Sequence, residues 1–233
     1  LTDITAVKNN EQMRSEFFAN ASHELKTPLT AIKGFNDMVG LTCGNEKICE
    51  LSSKIDREVG RMVNLINDML ALAKLEGEKP AENVQSVDLV AVADDVADTL
   101  STLAAERKVT VDVSGSGSAN IDAEHARTLV KNLVENAIRY NDNGGYVYVT
   151  VSHDQTNGET TLTVADNGIG IEEEHQQRVF ERFYRVSKSR SRESGGTGLG
   201  LAIVKHIASL YNAKLSLQSK FGVGTTVTVI FGR

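Results

Sequence analysis

A histidine with a neighbouring carboxylate lies in the segment SHELKTPLT, residues 22–30. His23 is followed directly by Glu24 and, one helical turn later, by Thr27. An imidazole is a nucleophile near neutral pH because its unperturbed pKa is about 6.5. A carboxylate beside the ring can orient it and take its proton while the other nitrogen forms a bond. These residues predict a phosphoryl acceptor, provided that the chain also carries a donor.

An amphipathic helix is the element expected to present this histidine. Apolar residues recur in steps of three and four, at Phe18, Ala21, Leu25, Leu29, Ile32, Phe35 and Val39. On a helical wheel His23 lies opposite this stripe and is expected to face water. Pro28 removes one helical hydrogen bond and crowds the carbonyl of Glu24, so the helix should bend just beyond His23. An exposed histidine beside a harmless kink is the alternative at this point.

A second helix is predicted after a short glycine-bearing connection at 40–46. Apolar residues recur seven apart at Ile48, Ile55, Met62 and Met69. Together with Leu51, Leu65 and Leu72 they form a heptad-like seam. Val59 and Ile66 form a second apolar edge. Two helices with a short connection form an antiparallel hairpin. A hairpin cannot bury stripes this wide alone, so we expect two chains to build a dimeric four-helix bundle.

The purely helical spacing of apolar residues ends at a linker around Gly77 and Pro80. Helical segments at 88–108, 122–140 and 198–211 are interspersed with stretches of alternating hydrophobicity that are typical of strands. Asp88 is a plausible N-cap for the first of these helices. The order of elements predicts an α+β two-layer sandwich, with one mixed sheet covered on one face by helices.

A polar stripe on the helix predicted at 122–140 offers groups suited to magnesium and phosphate. Asn132, Asn136 and Tyr140 recur every four residues, with Arg139 beside them and Glu135 at the border. Oxygen ligands suit Mg²⁺, and a guanidinium complements phosphate charge. A solvent-exposed polar face would show the same pattern, so this stripe alone does not decide between the two.

Two glycine-bearing segments add the parts of a nucleotide site. In VADNGIGI a strand ends at Asp166, whose carboxylate can accept a hydrogen bond from an amino group such as that of adenine. Gly168 and Gly170 follow and let the backbone approach a ligand closely. The glycines within 196–200 lead into a helix whose N-terminal amides can hold phosphate. This second segment is not a P-loop, because no Gly-Lys-Ser/Thr follows its glycines.

Six segments, in order and spacing, resemble the sequence boxes of bacterial sensor histidine kinases. FFANASHELKTPLTAIKGF resembles the H box, NLVENAIRY the N box, DNGIG the G1 box, VFERFYR the F box, GTGLGLAI the G2 box and GVGTTVTV the G3 region. The resemblance implies a dimerisation and histidine-phosphotransfer domain at 11–78, after a linker at 1–10 that equally resembles the end of a PAS sensor domain. It implies a second linker at 79–84 and, at 85–233, a Bergerat-type ATP-binding domain, as in gyrase, MutL proteins and heat-shock chaperones.

The resemblance also implies a role for each matching residue. His23 would accept the phosphoryl group of ATP, Glu24 would act as base, and Thr27 would position water for dephosphorylation of a response regulator. Asn136 would bind Mg²⁺ with support from Asn132. The remaining assignments are Arg139 at phosphate, Tyr140 and Asp166 at adenine, Gly168 and Gly170 at the same end, Gly196, Thr197, Gly198, Leu199 and Gly200 over the phosphates, Thr225 beside Asp166, and Phe180 and Phe183 as anchors of a lid.

The bulk composition excludes some classes of partner and compartment. The chain has 40% hydrophobic and 24% charged residues, as ordinary globular proteins do, and its net charge of −6 argues against nucleic acid. No apolar run is long enough to span a membrane, so we expect a cytoplasmic portion, anchored by segments outside this chain as the resemblance implies. Cys43 and Cys49 are expected to be reduced thiols.

Two functions from other classes remain open at this stage. One is a Bergerat-type ATPase in which the histidine is incidental. The other is a dimeric scaffold that binds nucleotide without turning it over. Autophosphorylation of His23, followed by transfer to an aspartate of a receiver domain, is the hypothesis that uses all six segments.

Overall fold

The computed structural model describes residues 29–41, 44, 46–78, 85–142, 144–186 and 196–232. His23, Glu24 and Thr27, and the bend predicted at Pro28, lie outside these residues. Contacts divide the chain into two compact units. The first unit contains the described residues within 29–78 and 196–199, and the second contains those within 85–186 and 200–232.

The first unit contains two helices that pack against each other. Helix α1 covers 29–41 and α2 covers Glu46–Gly77. Leu29 forms a buried cluster with Val59 and Ile66, and Asn36 bonds to Ser52 further back along α2. Later residues of α1 therefore contact earlier residues of α2. The two helices run antiparallel, as predicted. The edge formed by Val59 and Ile66 is therefore the one that contacts α1.

The first part of the heptad seam of α2, up to Met62, stays exposed within this chain, as do apolar residues of α1. Phe35 is 69% exposed, and Ile55 and Met62 are 45% and 47% exposed. The other large exposed apolar residues of these two helices are Ile32, Met38, Val39, Leu41, Ile48 and Leu51. The hairpin thus buries one apolar edge and leaves a wide second surface in contact with water.

The second unit contains a five-stranded mixed sheet, a two-stranded sheet and several helices. Its elements are β1 (Ser86–Asp88), α3 (Leu89–Thr99), α4 (Ser101–Arg107), β2 (Thr110–Gly115), β3 (Ser118–Asn120), α5 (Ala123–Arg139), β4 (Tyr146–Asp154), β5 (Glu159–Asp166), α6 (Glu173–Gln176), α7 (Gly200–Leu210), β6 (Lys214–Lys220) and β7 (Gly224–Phe231). The strand order of the large sheet is β2-β4-β5-β7-β6, with β2 and β4 parallel and the other neighbours antiparallel. Strands β1 and β3 pair separately.

Local chemistry explains where the helices begin and end. Asp88 caps α3, as predicted, by accepting hydrogen bonds from the amides of Val90 and Ala91. The single helix expected over 88–108 is divided at Leu100 into α3 and α4. Thr99 and Ser101 flank this break, and each hydroxyl bonds to a helix carbonyl, an interaction that competes with regular helical pairing.

One face of the large sheet is covered and apolar. Alternate residues of β4, β5 and β7 are buried there, including Val147, Val149, Val151, Leu162, Val164, Val227 and Val229. Helices α5 and α7 carry matching buried residues such as Val130 and Ile203. The predicted sandwich, one mixed sheet with helices on one face, is therefore what this unit forms.

Two further observations bear on the sequence-based expectations. Cys49 is disulfide-bonded, so the expectation of reduced thiols is wrong for this residue. Two cysteines alone do not indicate a disulfide framework in a sequence, which is why this bond was not predicted. Cys43 lies outside the described residues. Among the described helices, none is both long and apolar enough to cross a bilayer.

Candidate functional site

Asp166 is a half-buried carboxylate at the end of β5 with one oxygen left for a ligand. Its Oδ1 accepts hydrogen bonds from the amides of Gly168 at 2.9 Å and Thr225 at 3.2 Å. Within the described residues no hydrogen bond reaches Oδ2. Burial raises the pKa of Asp166 to about 6, although the two amide bonds act in the opposite direction. At neutral pH the side chain is a charged acceptor that is only partly hydrated.

The turn after Asp166 is packed too closely for side chains. A Cβ on Gly168 would lie 2.4 Å from the carbonyl oxygen of Tyr140, and one on Gly170 would lie 2.1 Å from that of Lys220. Gly170 also has a φ of +65°, which favours glycine. The amide of Ile169 donates to the carbonyl of Tyr140 at 3.1 Å. The turn is therefore fixed against the end of α5.

Asn132 and Asn136 meet the start of α7. A Cβ on Gly200 would lie 2.7 Å from Asn132 Oδ1 and 3.6 Å from Asn136 Nδ2. Asn132 donates through Nδ2 to the carbonyl of Thr128, which leaves its oxygen turned toward Gly200. In the described part of the chain the Asn136 side chain makes no hydrogen bond. An amide oxygen is a ligand type that suits Mg²⁺, and the start of a helix is a suitable place for phosphate, so the chemistry of these groups is compatible with a magnesium–phosphate group.

Arg139 is paired with a carboxylate on its own helix. Its Nε and Nη2 donate to Glu135 Oε1 at 2.8 and 2.6 Å, and the two side chains are only 20% and 27% exposed. Glu135 lies between Asn132 and Asn136 in the sequence of α5, and Arg139 lies about one turn beyond Asn136. The expected contact of Arg139 with phosphate, and the stacking expected of Tyr140, stay predictions.

The residues expected to close over the phosphates fall partly in the first unit. Thr197 Oγ1 donates to Asp68 Oδ2 at 2.6 Å and accepts from the amide of Leu199 at 3.2 Å. Leu199 is fully buried, whereas Gly196 and Gly198 are half-buried. Their nucleotide contacts stay predictions, as do the anchoring roles of Phe180, which is half-buried, and Phe183, which is exposed.

Several polar residues around Asp166 were not predicted from the sequence. Ser219 on β6 bonds to Ile171, Gly224 and Thr225. The main chain of Tyr146 is held on both sides, because its amide donates to Asn167 Oδ1 at 2.6 Å and its carbonyl accepts from Asn141 Nδ2 at 3.0 Å. The alternation in KLSLQSK could have indicated Ser219, because this serine lies on the same side of the strand as Leu215 and Leu217.

The fold and this site together define an ATPase domain joined to a helical hairpin. Residues 121–232 match the family described as histidine kinase-, DNA gyrase B- and HSP90-like ATPase. Residues 13–78 match the His Kinase A (phospho-acceptor) domain. The chain belongs to the sensor histidine kinases, which confirms the family predicted from the six sequence segments.

Similar proteins include curated sensor kinases and solved kinase structures. The chain is 37% identical to the phosphate regulon sensor protein PhoR of Pseudomonas aeruginosa over 98% of this chain and 52% of that protein. It is 34% identical to the sensor-like histidine kinase SenX3 of Mycolicibacterium smegmatis over 94% and 57%. Full-length ShkA in complex with AMPPNP is similar over 93% of this chain and 45% of that one, with a TM-score of 0.71 and 25% identity. The chain thus spans about half the length of the curated relatives it matches.

Proposed function

We propose that this chain is the catalytic part of a sensor histidine kinase that phosphorylates its own His23 with ATP. The observation that carries the proposal is Asp166, whose Oδ1 is engaged by two amides while Oδ2 has no partner among the described residues. A charged oxygen held in this way can accept a hydrogen bond from the amino group of adenine. The ATPase-domain match and the nucleotide analogue bound by ShkA support ATP as the phosphoryl donor.

The other end of the site is suited to the phosphates. Asn136, supported by Asn132, would hold Mg²⁺, which neutralises phosphate charge when bound. The start of α7 at Gly200 offers main-chain amides to phosphate oxygens. Phosphoryl transfer depends mainly on positioning and charge neutralisation, so these groups need only hold the nucleotide in line with the acceptor.

At the acceptor, a nitrogen of the His23 ring forms the new bond to phosphorus as the bond to ADP breaks. Glu24 takes the proton from the other ring nitrogen. The phosphoryl group then passes to an aspartate on a response-regulator receiver domain. Thr27 positions water when the same kinase removes phosphate from that regulator.

The exposed apolar surface of the hairpin supports a homodimer. It comprises residues of both helices, including Phe35, Ile55 and Met62, and large contiguous apolar surfaces on soluble proteins mark association sites. A second copy of the hairpin would complete a four-helix bundle. The whole protein would be anchored in the cell membrane through segments outside this chain, as the resemblance to sensor histidine kinases implies.

The deciding experiment follows the γ-phosphate of radiolabelled ATP with Mg²⁺ present. We expect acid-labile label on the wild-type protein and none on His23→Ala. His153→Ala, which replaces an exposed histidine on β4, is the matched control and should keep the label. Hydrolysis of ATP with no protein-bound label would instead identify an ATPase with an incidental histidine, and nucleotide binding without either would identify a scaffold.

A further inference from the structure

Ser219 lies at the centre of a hydrogen-bond cluster that joins three segments of the second unit. Its Oγ accepts from the amide of Ile171 at 2.8 Å and lies 2.9 Å from both the carbonyl oxygen of Gly224 and Thr225 Oγ1. Gln176 braces the same place by donating to the carbonyls of Ser219 and Ile171. The hydroxyl thus connects β6, β7 and the segment that follows the Asp166 turn.

The number of available protons determines the direction of each hydrogen bond at Ser219. A hydroxyl has one proton and accepts up to two hydrogen bonds. The carbonyl of Gly224 can only accept, so the Ser219 proton goes there. The contact between the two hydroxyls is then satisfied only if Thr225 donates to Ser219. In this arrangement every partner of Ser219 is paired, and the proton of Thr225 is directed away from its neighbours on β5.

Thr225 stands directly beside the carboxylate of the site. Strand pairing places Ser219 opposite Thr225, and Thr225 opposite Asp166. Residues directly opposite on antiparallel strands project to the same face, with Cβ atoms about 5 Å apart. The three side chains form a row across β6, β7 and β5 on the helix-covered face. With its proton committed to Ser219, the Thr225 oxygen offers only lone pairs next to Asp166.

We propose that Ser219 is a positioning residue for base selection: it holds the Thr225 hydroxyl as an acceptor, so that Thr225 and Asp166 together favour a purine whose C6 substituent is an amino group. A carbonyl oxygen at that position, as in guanine, would face two acceptors and be repelled. Without Ser219, the Thr225 proton can turn and donate to such a carbonyl. The inference rests on the proposed nucleotide-binding function and adds a determinant of its specificity.

The test compares ADP and GDP binding by isothermal titration calorimetry at pH 8 with Mg²⁺ present. We expect Ser219→Ala to lower the ratio of ADP to GDP affinity by about tenfold, equivalent to about 1.4 kcal/mol. Ser219→Thr, which keeps the hydroxyl, should restore the ratio. Ser216→Ala is the matched control, because Ser216 is an exposed serine on the same strand, and it should leave the ratio unchanged. If Ser219→Ala does not fold, Ser219→Cys replaces it.

A double variant tests whether Ser219 acts by positioning Thr225 or by supporting the structure in general. In Thr225→Ala there is no hydroxyl left to orient, so adding Ser219→Ala should change the ratio less than about twofold. A further tenfold change in that background would overturn the proposed route through Thr225. An unchanged ratio in folded Ser219→Ala that still binds ADP would overturn the inference alone. A wild-type chain that binds neither nucleotide would overturn the proposed function and the inference together.

Discussion

Asn36 and Ser52 exchange hydrogen bonds across the helical hairpin. Asn36 Nδ2 donates to the carbonyl of Ser52 at 2.6 Å, and Ser52 Oγ donates to the carbonyl of Asn36 at 3.0 Å. Both residues are buried. Apolar side chains tolerate small shifts of one helix along another, but a reciprocal pair of this kind is satisfied at one alignment only. The pair therefore fixes how α1 and α2 are aligned.

Replacing Asn36 by Ala should lower the free energy of unfolding by about 1–2 kcal/mol, because the buried carbonyl of Ser52 loses the side-chain amide that donates to it. The measurement is urea unfolding followed by circular dichroism at fixed protein concentration. Asp37→Ala is the control, since Asp37 is the exposed neighbour, and should change stability by less than about 0.5 kcal/mol. Equal effects of the two variants would show that the pair contributes nothing specific.

Ile55→Asp should convert the proposed dimer to a monomer. Ile55 lies in the exposed heptad seam of α2, and a carboxylate there would lose its hydration on association. Light scattering at micromolar concentration should give twice the chain mass for wild type and the single chain mass for the variant. Arg57→Asp, an exposed charge two residues away, should remain dimeric. A wild-type protein that elutes as a monomer contradicts the prediction.

Nucleotide affinity should fall as Asp166 is protonated. Burial raises its pKa to about 6, and only the ionised form offers both oxygens as acceptors. ADP binding should be constant above pH 7 and about tenfold weaker at pH 5, one unit below that pKa. Calorimetry across this range provides the profile. Asp112→Asn, which neutralises an exposed carboxylate on β2, should keep the wild-type profile; a flat wild-type profile would count against a role for Asp166.

Asp166→Asn should abolish ADP binding and stabilise the protein at pH 8. The folded-state pKa lies above the ordinary value of 3.8, so the folded chain binds more protons between these values and its stability falls as pH rises through them. The amide removes this penalty, which amounts to at most about 3 kcal/mol. Thermal unfolding should show a smaller advantage at pH 5 than at pH 8. Destabilisation at pH 8 would indicate that the charge is better solvated than its burial implies.

Thr27→Ala should separate the two proposed activities, autophosphorylation of His23 and dephosphorylation of the regulator. Autophosphorylation does not require a water molecule, so label from ATP should accumulate at close to the wild-type rate. Dephosphorylation of a phosphorylated receiver domain should be reduced, because the water-positioning hydroxyl is missing. Both rates are measured with the same protein preparation, and an equal loss of both would show that Thr27 does not act by positioning a water molecule.

The extent of prediction from sequence differs between local and long-range features. Hydrophobic periodicity and the N-cap residue Asp88 were sufficient to predict α3, and alternating hydrophobicity was sufficient to predict strands such as β4. These features depend on residues that are close in sequence. The heptad pattern revealed two apolar edges on α2, but periodicity does not determine which edge contacts α1; Leu29 and its cluster with Val59 and Ile66 decide that. The Ser219 cluster joins residues up to 48 positions apart, and only the strand register brings them together.

The order of strands also has a consequence for how this protein associates. Strand β6 forms one margin of the large sheet, and it begins and ends with Lys214 and Lys220. Lysines at such a margin discourage another strand from adding to it, a common protection against fibril-like aggregation. Pairing of sheet margins therefore does not compete with the proposed association through the helices, even when a crowded cell brings many copies of the chain close together.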